Sequence, residues 1–162
     1  MVNMRNAQDW IDYLELEGHP EGGYFKQTGA SDQIVKSHTG LDVPLYTNIL
    51  FLLKSDNPSN FHRIGSNEVW YFHEGHPLTV HCIQPDGRYE KVVLGRDISK
   101  GQVLQYEVPR GVIFGSSVEE GYGLVSCMVA PGFDFREFHL FERAELIEQY
   151  PQHKDIISKL TK

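Results

Sequence analysis

The sequence predicts an all-β sandwich or barrel with a helical segment at each end. Three observations carry that expectation. Between Tyr24 and Met128 the apolar residues come in short runs of strand length and composition. Clusters rich in Gly, Pro, Asn, Asp and Ser separate those runs. Helical periodicity is confined to residues 6–16 and to the tail.

The first element is NAQDWIDYLEL, residues 6–16. Asn6 offers a side-chain oxygen as cap, and Asp9 places a negative charge near the positive end of the helix dipole. Trp10, Ile11 and Leu14 form the stripe that such a helix buries. Gly18 and Pro20 are the expected stop signals. Strands are then expected near GYFKQT, LYTNILFLL, EVWYFH, LTVHCIQ, YEKVVL, VLQYEVP and GLVSCMVA. SDNPSN, HEGHP, QPDGRY and EEGYG have turn chemistry. In QPDGRY, Gly87 tolerates positive φ, which predicts a hairpin between the runs on either side. Seven short strands at this spacing indicate a sandwich or barrel rather than βαβ units. The tail FERAELIEQYPQHKDIISKL returns to helix, interrupted before Pro151, and is expected to pack outside the β body.

Composition narrows the classes of function. With 162 residues the chain is expected to be a single domain, 1–162, large enough to bury a core without disulfides. Hydrophobic residues make up 40%, within the range of folded proteins. A net charge of −7 argues against non-specific nucleic-acid binding, which needs clustered Lys and Arg. The longest apolar run, Ile49 to Leu53, is too short to cross a bilayer as a helix. The opening MVNMRNAQDW lacks an apolar signal-type core. Two cysteines, Cys82 and Cys127, make no disulfide framework, so free thiols in a reducing cytoplasm are expected.

The densest chemistry lies in NFHRIGSNEVWYFHEG, residues 60–75. Side chains two apart on a strand share a face, so Glu68, Trp70 and Phe72 are expected to point inward together. His62 and Ile64 share a face just before them. A carboxylate and an imidazole would then meet among aromatic rings, an environment that suits metal binding or proton transfer. Glu21, in HPEGG, is a candidate for the mouth of the same pocket. Tyr24, His81 and Gln105 are candidates for its walls. Phe133 and Phe135, in APGFDF, are expected to pack on the barrel, and the remaining histidines of turn-like or helical segments carry no assignment.

The segment from His62 to Gly75 resembles the first cupin motif, in which two histidines, a glutamate and a glycine recur at set spacing. His62, Glu68 and Gly75 match, while Ile64 stands at the second histidine. VPRGVIFGS resembles the second motif, with Phe114 where a histidine is expected. Together with HPEGGYFKQT and VAPGFDFREF these segments resemble a family of small single-domain cupins of uncharacterised function. The resemblance covers the chain from His19 to the C-terminal helices. It implies a cupin double-stranded β-helix, a jelly-roll barrel, with a pocket inside and pairing as a homodimer. A second, weaker similarity is to metal-free cupin epimerases of nucleotide-linked deoxysugars, which use an imidazole base. There Gly22, Gln27 and Phe114 depart from the pattern, so a different substrate is implied.

Three functions follow as expectations. The first is a metal-free isomerase or epimerase of a small polar ligand, sugar-like or nucleotide-like, with His62 as base and Glu68 beside it. The second is a non-catalytic small-molecule binder. The third is a metal enzyme that uses His62 and Glu68 with His81 or Gln105. Ile64 and Phe114 offer only carbon, so no tightly bound metal and no other cofactor is expected. A homodimer is expected also because a sandwich leaves open edge strands.

Overall fold

The computed structural model describes residues 5–162, and the first four residues of MVNMRNAQDW lie outside that range. Helix α1 spans Ala7–Leu14. Its start is a reciprocal cap: the Asp9 N–H donates to Asn6 Oδ1 at 2.8 Å, and the Asn6 N–H donates to Asp9 Oδ2 at 3.1 Å. It stops earlier than Gly18 and Pro20 suggest, because Glu15 already adopts a left-handed conformation with φ 55°.

The strands are β1 (Glu17–Gly18), β2 (Tyr24–Ala30), β3 (Ile34–Lys36), β4 (Asp42–Pro44), β5 (Thr47–Lys54), β6 (Ser59–Arg63) and β7 (Asn67–Gly75). They continue with β8 (Leu78–Ile83), β9 (Tyr89–Leu94), β10 (Gln105–Val108), β11 (Ile113–Val118), β12 (Tyr122–Ala130) and β13 (His139–Leu140). Two helices close the chain, α2 (Arg143–Gln149) and α3 (Lys154–Lys159), with a 3₁₀ turn at Pro151–His153 between them.

One sheet has the order β1-β2-β5-β12-β7-β10, and the other β13-β6-β11-β8-β9. Every ladder within them is antiparallel. This is the jelly-roll cupin fold. The β8–β9 hairpin turns at Gly87, φ 89°, as the PDG signal requires.

Three apolar layers follow from alternation along the strands. Phe51, Leu53, Trp70, Val80, Cys82, Phe114, Val125 and Cys127 fill the space between the sheets. Phe61, Ile83 and Ile113 point the other way and are covered by Leu146, Ile157 and Leu160 of the C-terminal segment. Leu52 and Leu124, on the outer face of the larger sheet, are covered by Trp10, Ile11 and Leu14 of α1. The terminal segments therefore cap two outer faces and leave one end of the inter-sheet space for a cavity.

Strands β6 and β11 are the main elements that sequence patterning does not announce. Four of the five β6 residues are buried, polar and apolar alike, because one face meets the barrel and the other meets the C-terminal helices. A strand covered on both sides loses its period-two signal. Ser59 and Asn60, which read as the end of a turn, belong to this strand.

Candidate functional site

The cavity opens between the sheets and is partly open to solvent, with a volume of about 80 Å³. That is small beside the usual small-molecule site. Phe25 and Gln27 of β2, Thr47 and Ile49 of β5, Glu68 of β7 and Cys127 and Val129 of β12 form one wall. His62 of β6 faces them. Loops supply His19, Glu21, Ile64 and Phe133, and the 3₁₀ turn Phe135–Glu137 supplies Phe135.

Glu21 reaches the interior because its loop is drawn tight. The Asn60 N–H donates to the Glu21 carbonyl at 2.7 Å, which sews the loop to β6. The Glu21 N–H donates to His19 Nδ1 at 3.1 Å, and the His19 N–H donates to the Gly23 carbonyl at 2.9 Å. Gly22 has φ 110°, and a Cβ there would collide with the Pro58 carbonyl. Only glycine lets the loop lie this close. Glu21 is consequently buried.

His62 is held at both ring nitrogens. Nδ1 lies 2.7 Å from the Asn60 carbonyl oxygen, and Nε2 lies 2.8 Å from Glu21 Oε2. A carbonyl oxygen only accepts, so Nδ1 carries a hydrogen. The short Nε2–Oε2 contact then requires one more proton, shared between imidazole and carboxyl. Burial opposes charge on His62, but the Glu21 carboxylate outweighs it and raises the imidazole above its ordinary pKa. Burial likewise pushes Glu21 up, and the His62 charge and hydrogen bond bring it below its ordinary value. The pair is therefore an imidazolium–carboxylate ion pair. Its ring packs on Phe114 at 4.2 Å between centroids, because the two residues are opposed in the β6–β11 register.

Glu68 differs. It is 8% exposed and faces the cavity, and the Cys127 thiol, a weak donor, is the side chain that hydrogen-bonds it. Burial first, and the Glu21 carboxylate second, push it up to about 7. The Cys127 thiol beside it is raised well above its usual value, first by burial and then by Glu68, so it stays a thiol. His19 is lowered by burial despite Glu21, and its Nδ1 accepts from a backbone N–H. It is a neutral ring that carries its hydrogen on Nε2.

The structure brings together His62, Glu68 and Glu21 and places other expected wall residues elsewhere. Tyr24 lies on the outer face of β2 against the α1 layer, while its neighbour Phe25 faces the cavity. Trp70 is wholly in the core against Phe51 and Phe114. Phe72 packs at the edge of the same core under the Arg96 guanidinium. Glu68, Trp70 and Phe72 do share a face; only the first reaches the cavity. His81 points to the opposite side of β8 from Val80 and Cys82, where it bonds Tyr89 and Ser117. Gln105 is exposed on edge strand β10. Phe114 backs His62 without lining the space. Sequence reading missed His19, Phe25, Thr47, Ile49, Cys127 and Val129 as lining residues, and read Phe133 and Phe135 as packing only. Alternation along β2, β5 and β12 carries the strand members of that set once the inner face is known.

The residues present do not fit a cupin metal. Ile64 is a buried cavity wall and Phe114 a buried ring. Both nitrogens of His62 are engaged. Among the described residues no three His, Cys, Asp or Glu side chains are arranged to hold an ion. Nor is any helix among them long and apolar enough to cross a membrane.

The family profile described as Cupin superfamily (DUF985) matches residues 8–141. An uncharacterized protein of Saccharomyces cerevisiae, YML079W, is 32% identical over 157 residues, covering 86% of this chain and 77% of its own. A hypothetical protein from Leishmania major superposes with a TM-score of 0.92 at 40% identity, over 97% of this chain and 99% of that one. Protein SO0799 from Shewanella oneidensis gives a TM-score of 0.92 at 42% identity, over 98% and 99%.

Proposed function

The chain belongs to the cupin family described as Cupin superfamily (DUF985), and from that premise we propose that its barrel cavity performs metal-free proton transfer on a small molecule, as an isomerase or epimerase. One observation carries the reading. A buried carboxyl with a pKa of about 7 faces a cavity partly open to solvent, next to an ion pair that holds a further proton. A group that titrates near neutral pH both takes and returns a proton without an unfavourable intermediate. The expectation that His62 is the base changes here. Its nitrogens are committed to Asn60 and Glu21, so the free proton acceptor is Glu68. In the proposed cycle Glu68 removes a proton from the ligand, and the His62–Glu21 proton offsets the charge that develops. The aromatic and aliphatic walls limit water at the reacting atoms.

The test is incubation of small-molecule extracts with the protein in heavy water, followed by mass spectrometry. We expect a compound that gains carbon-bound deuterium with the wild type and not with Glu68→Gln. Binding with no exchange on any retained compound would favour the non-catalytic binder.

We also propose a homodimer in a reducing cytoplasm. Exposed Leu104, 62% accessible beside edge strand β10, and the two unpaired thiols Cys82 and Cys127 support it. Light scattering that gave a monomer mass across a wide concentration range would end the dimer proposal.

A further inference from the structure

We infer that the cavity is built for an organic cation: a small molecule whose ammonium group meets Glu68 and whose apolar body lies against Phe25, Phe133 and Phe135. This rests on the cavity being the ligand site, as proposed above, and names what enters it.

The charge inventory comes first. The lining contains the carboxyls of Glu21 and Glu68 and no Lys or Arg. Glu21 is matched by His62 at 2.8 Å. His19 adds no charge, because its Nδ1 accepts a backbone N–H and its ring stays neutral. Glu68 is left with no ion-pair partner of its own and only the weak Cys127 thiol as donor, although it is more than nine-tenths buried and aimed into the cavity. An anionic ligand would bring a like charge to a buried carboxyl with nothing opposite to hold it, which is costly at low dielectric. A phosphorylated or nucleotide-linked sugar is therefore disfavoured.

The polar inventory comes second. A sugar needs many fixed donors and acceptors. Of the cavity's uncharged polar groups, Thr47 Oγ1 already accepts the Phe133 N–H at 3.0 Å, and the Cys127 thiol is a weak donor. Gln27 remains. The rest of the wall is hydrocarbon or aromatic. Phe133 and Phe135 meet edge to face at 4.8 Å, and Phe135 is 54% exposed, which sets it at the mouth. Aromatic faces attract a cation and pack an apolar body; they do nothing for a polyol. An amine with a carbon skeleton satisfies both inventories.

The experiment uses three probes with one ring and different heads: benzylammonium, benzyl alcohol and benzoate. Ligand-observed NMR measures their affinity for the full chain and for the Glu68→Gln and Phe135→Ala variants. We expect benzylammonium to bind at least tenfold more tightly than benzyl alcohol and benzoate not to bind. Glu68→Gln should erase the preference for the ammonium, and Phe135→Ala should weaken benzylammonium several-fold with Glu68 intact. Thermal melts check that both variants are folded. Equal or tighter binding of benzyl alcohol or benzoate would overturn the inference. So would an ammonium preference that survives Glu68→Gln, or binding of none of the three. The deuterium-exchange test of proton transfer uses no cationic probe, so either idea can fail alone.

Discussion

Two buried histidines on the same sheet show what sets the charge of an imidazole. His62 is 2% exposed and His81 7%. Each has both ring nitrogens in hydrogen bonds. Burial lowers the pKa of both, yet His62 ends above its ordinary value and His81 falls to about 4. The partners make the difference. His62 meets a carbonyl and a carboxylate, which only accept, so the ring must carry two hydrogens. His81 meets the hydroxyls of Tyr89 at 2.6 Å and Ser117 at 2.8 Å. A hydroxyl can donate or accept, so a neutral ring satisfies both of them. Lys91 and Lys159 add positive charge nearby. Two imidazoles of similar burial are thus set apart by acceptor-only against amphoteric neighbours, and only the charged one faces the cavity.

Removing the acceptor carboxylate should break this contrast with the largest effect. Glu21→Ala takes away the partner of a buried charge, a change that costs about 3 kcal/mol after the imidazole gives up its proton. Urea unfolding at pH 7 measures the cost. NMR should show His62 moving from above the ordinary histidine value to below it, because burial, the largest influence, is then opposed only by the Asn60 carbonyl and Glu68. A His62 that still titrates high in Glu21→Ala would show that Glu21 is not what charges it.

Glu68 sharpens the comparison from the carboxylate side. Its folded pKa of about 7 exceeds the ordinary 4.5, so the folded state holds the proton longer than the unfolded state. Stability therefore falls as pH rises from about 4.5 to 7 and stays reduced above that. Gln imitates the neutral acid and removes the penalty. Glu68→Gln should stabilise the protein at pH 8 by on the order of 2–3 kcal/mol, and by almost nothing at about pH 3, where both states are neutral. The same change should abolish proton exchange. Denaturant melts at the two pH values check the sign, and a uniform effect at both would refute a titrating Glu68.

The sequence disclosed the fold more readily than the site. Alternation and turn residues marked the seven expected strands, and the cap residues marked α1. β6 was hidden because helices cover its outer face. At the site, His62 and Glu68 stood at motif spacing, but their electrostatics depend on Glu21, which comes from a distant loop. Gly22 and the Asn60–Glu21 backbone bond bring it in, and spacing within one strand cannot show that. The misplacement of Tyr24 and His81 has one cause. Alternation says that Tyr24 and Phe25, or His81 and Cys82, face opposite ways; it does not say which way is in. The covering helices decide that, since Tyr24 lies against the α1 layer and Ile83, on the His81 face, lies under the C-terminal segment.

The smallest expected effect tests the His81 half of the comparison. Ser117→Ala removes the hydroxyl 2.8 Å from Nε2 and leaves Tyr89 as the remaining partner. The lost bond should cost about 1 kcal/mol at pH 7, the usual net value of a neutral hydrogen bond. The ring should nevertheless stay neutral, since burial and the two lysines still oppose its charge. Sign matters for the pH profile. The folded pKa near 4 lies below the ordinary 6.5, so the unfolded state takes up its proton first as pH falls. The stability that this group contributes is present above about pH 6.5 and is lost progressively toward pH 4. The ring-proton shift of His81, followed from pH 8 to pH 4 in wild type and Ser117→Ala, should stay flat until the acid end in both, while that of His62 reports a charged ring through neutrality. A His81 midpoint between 6 and 7 in either protein would mean that the hydroxyl partners and lysines do not control it.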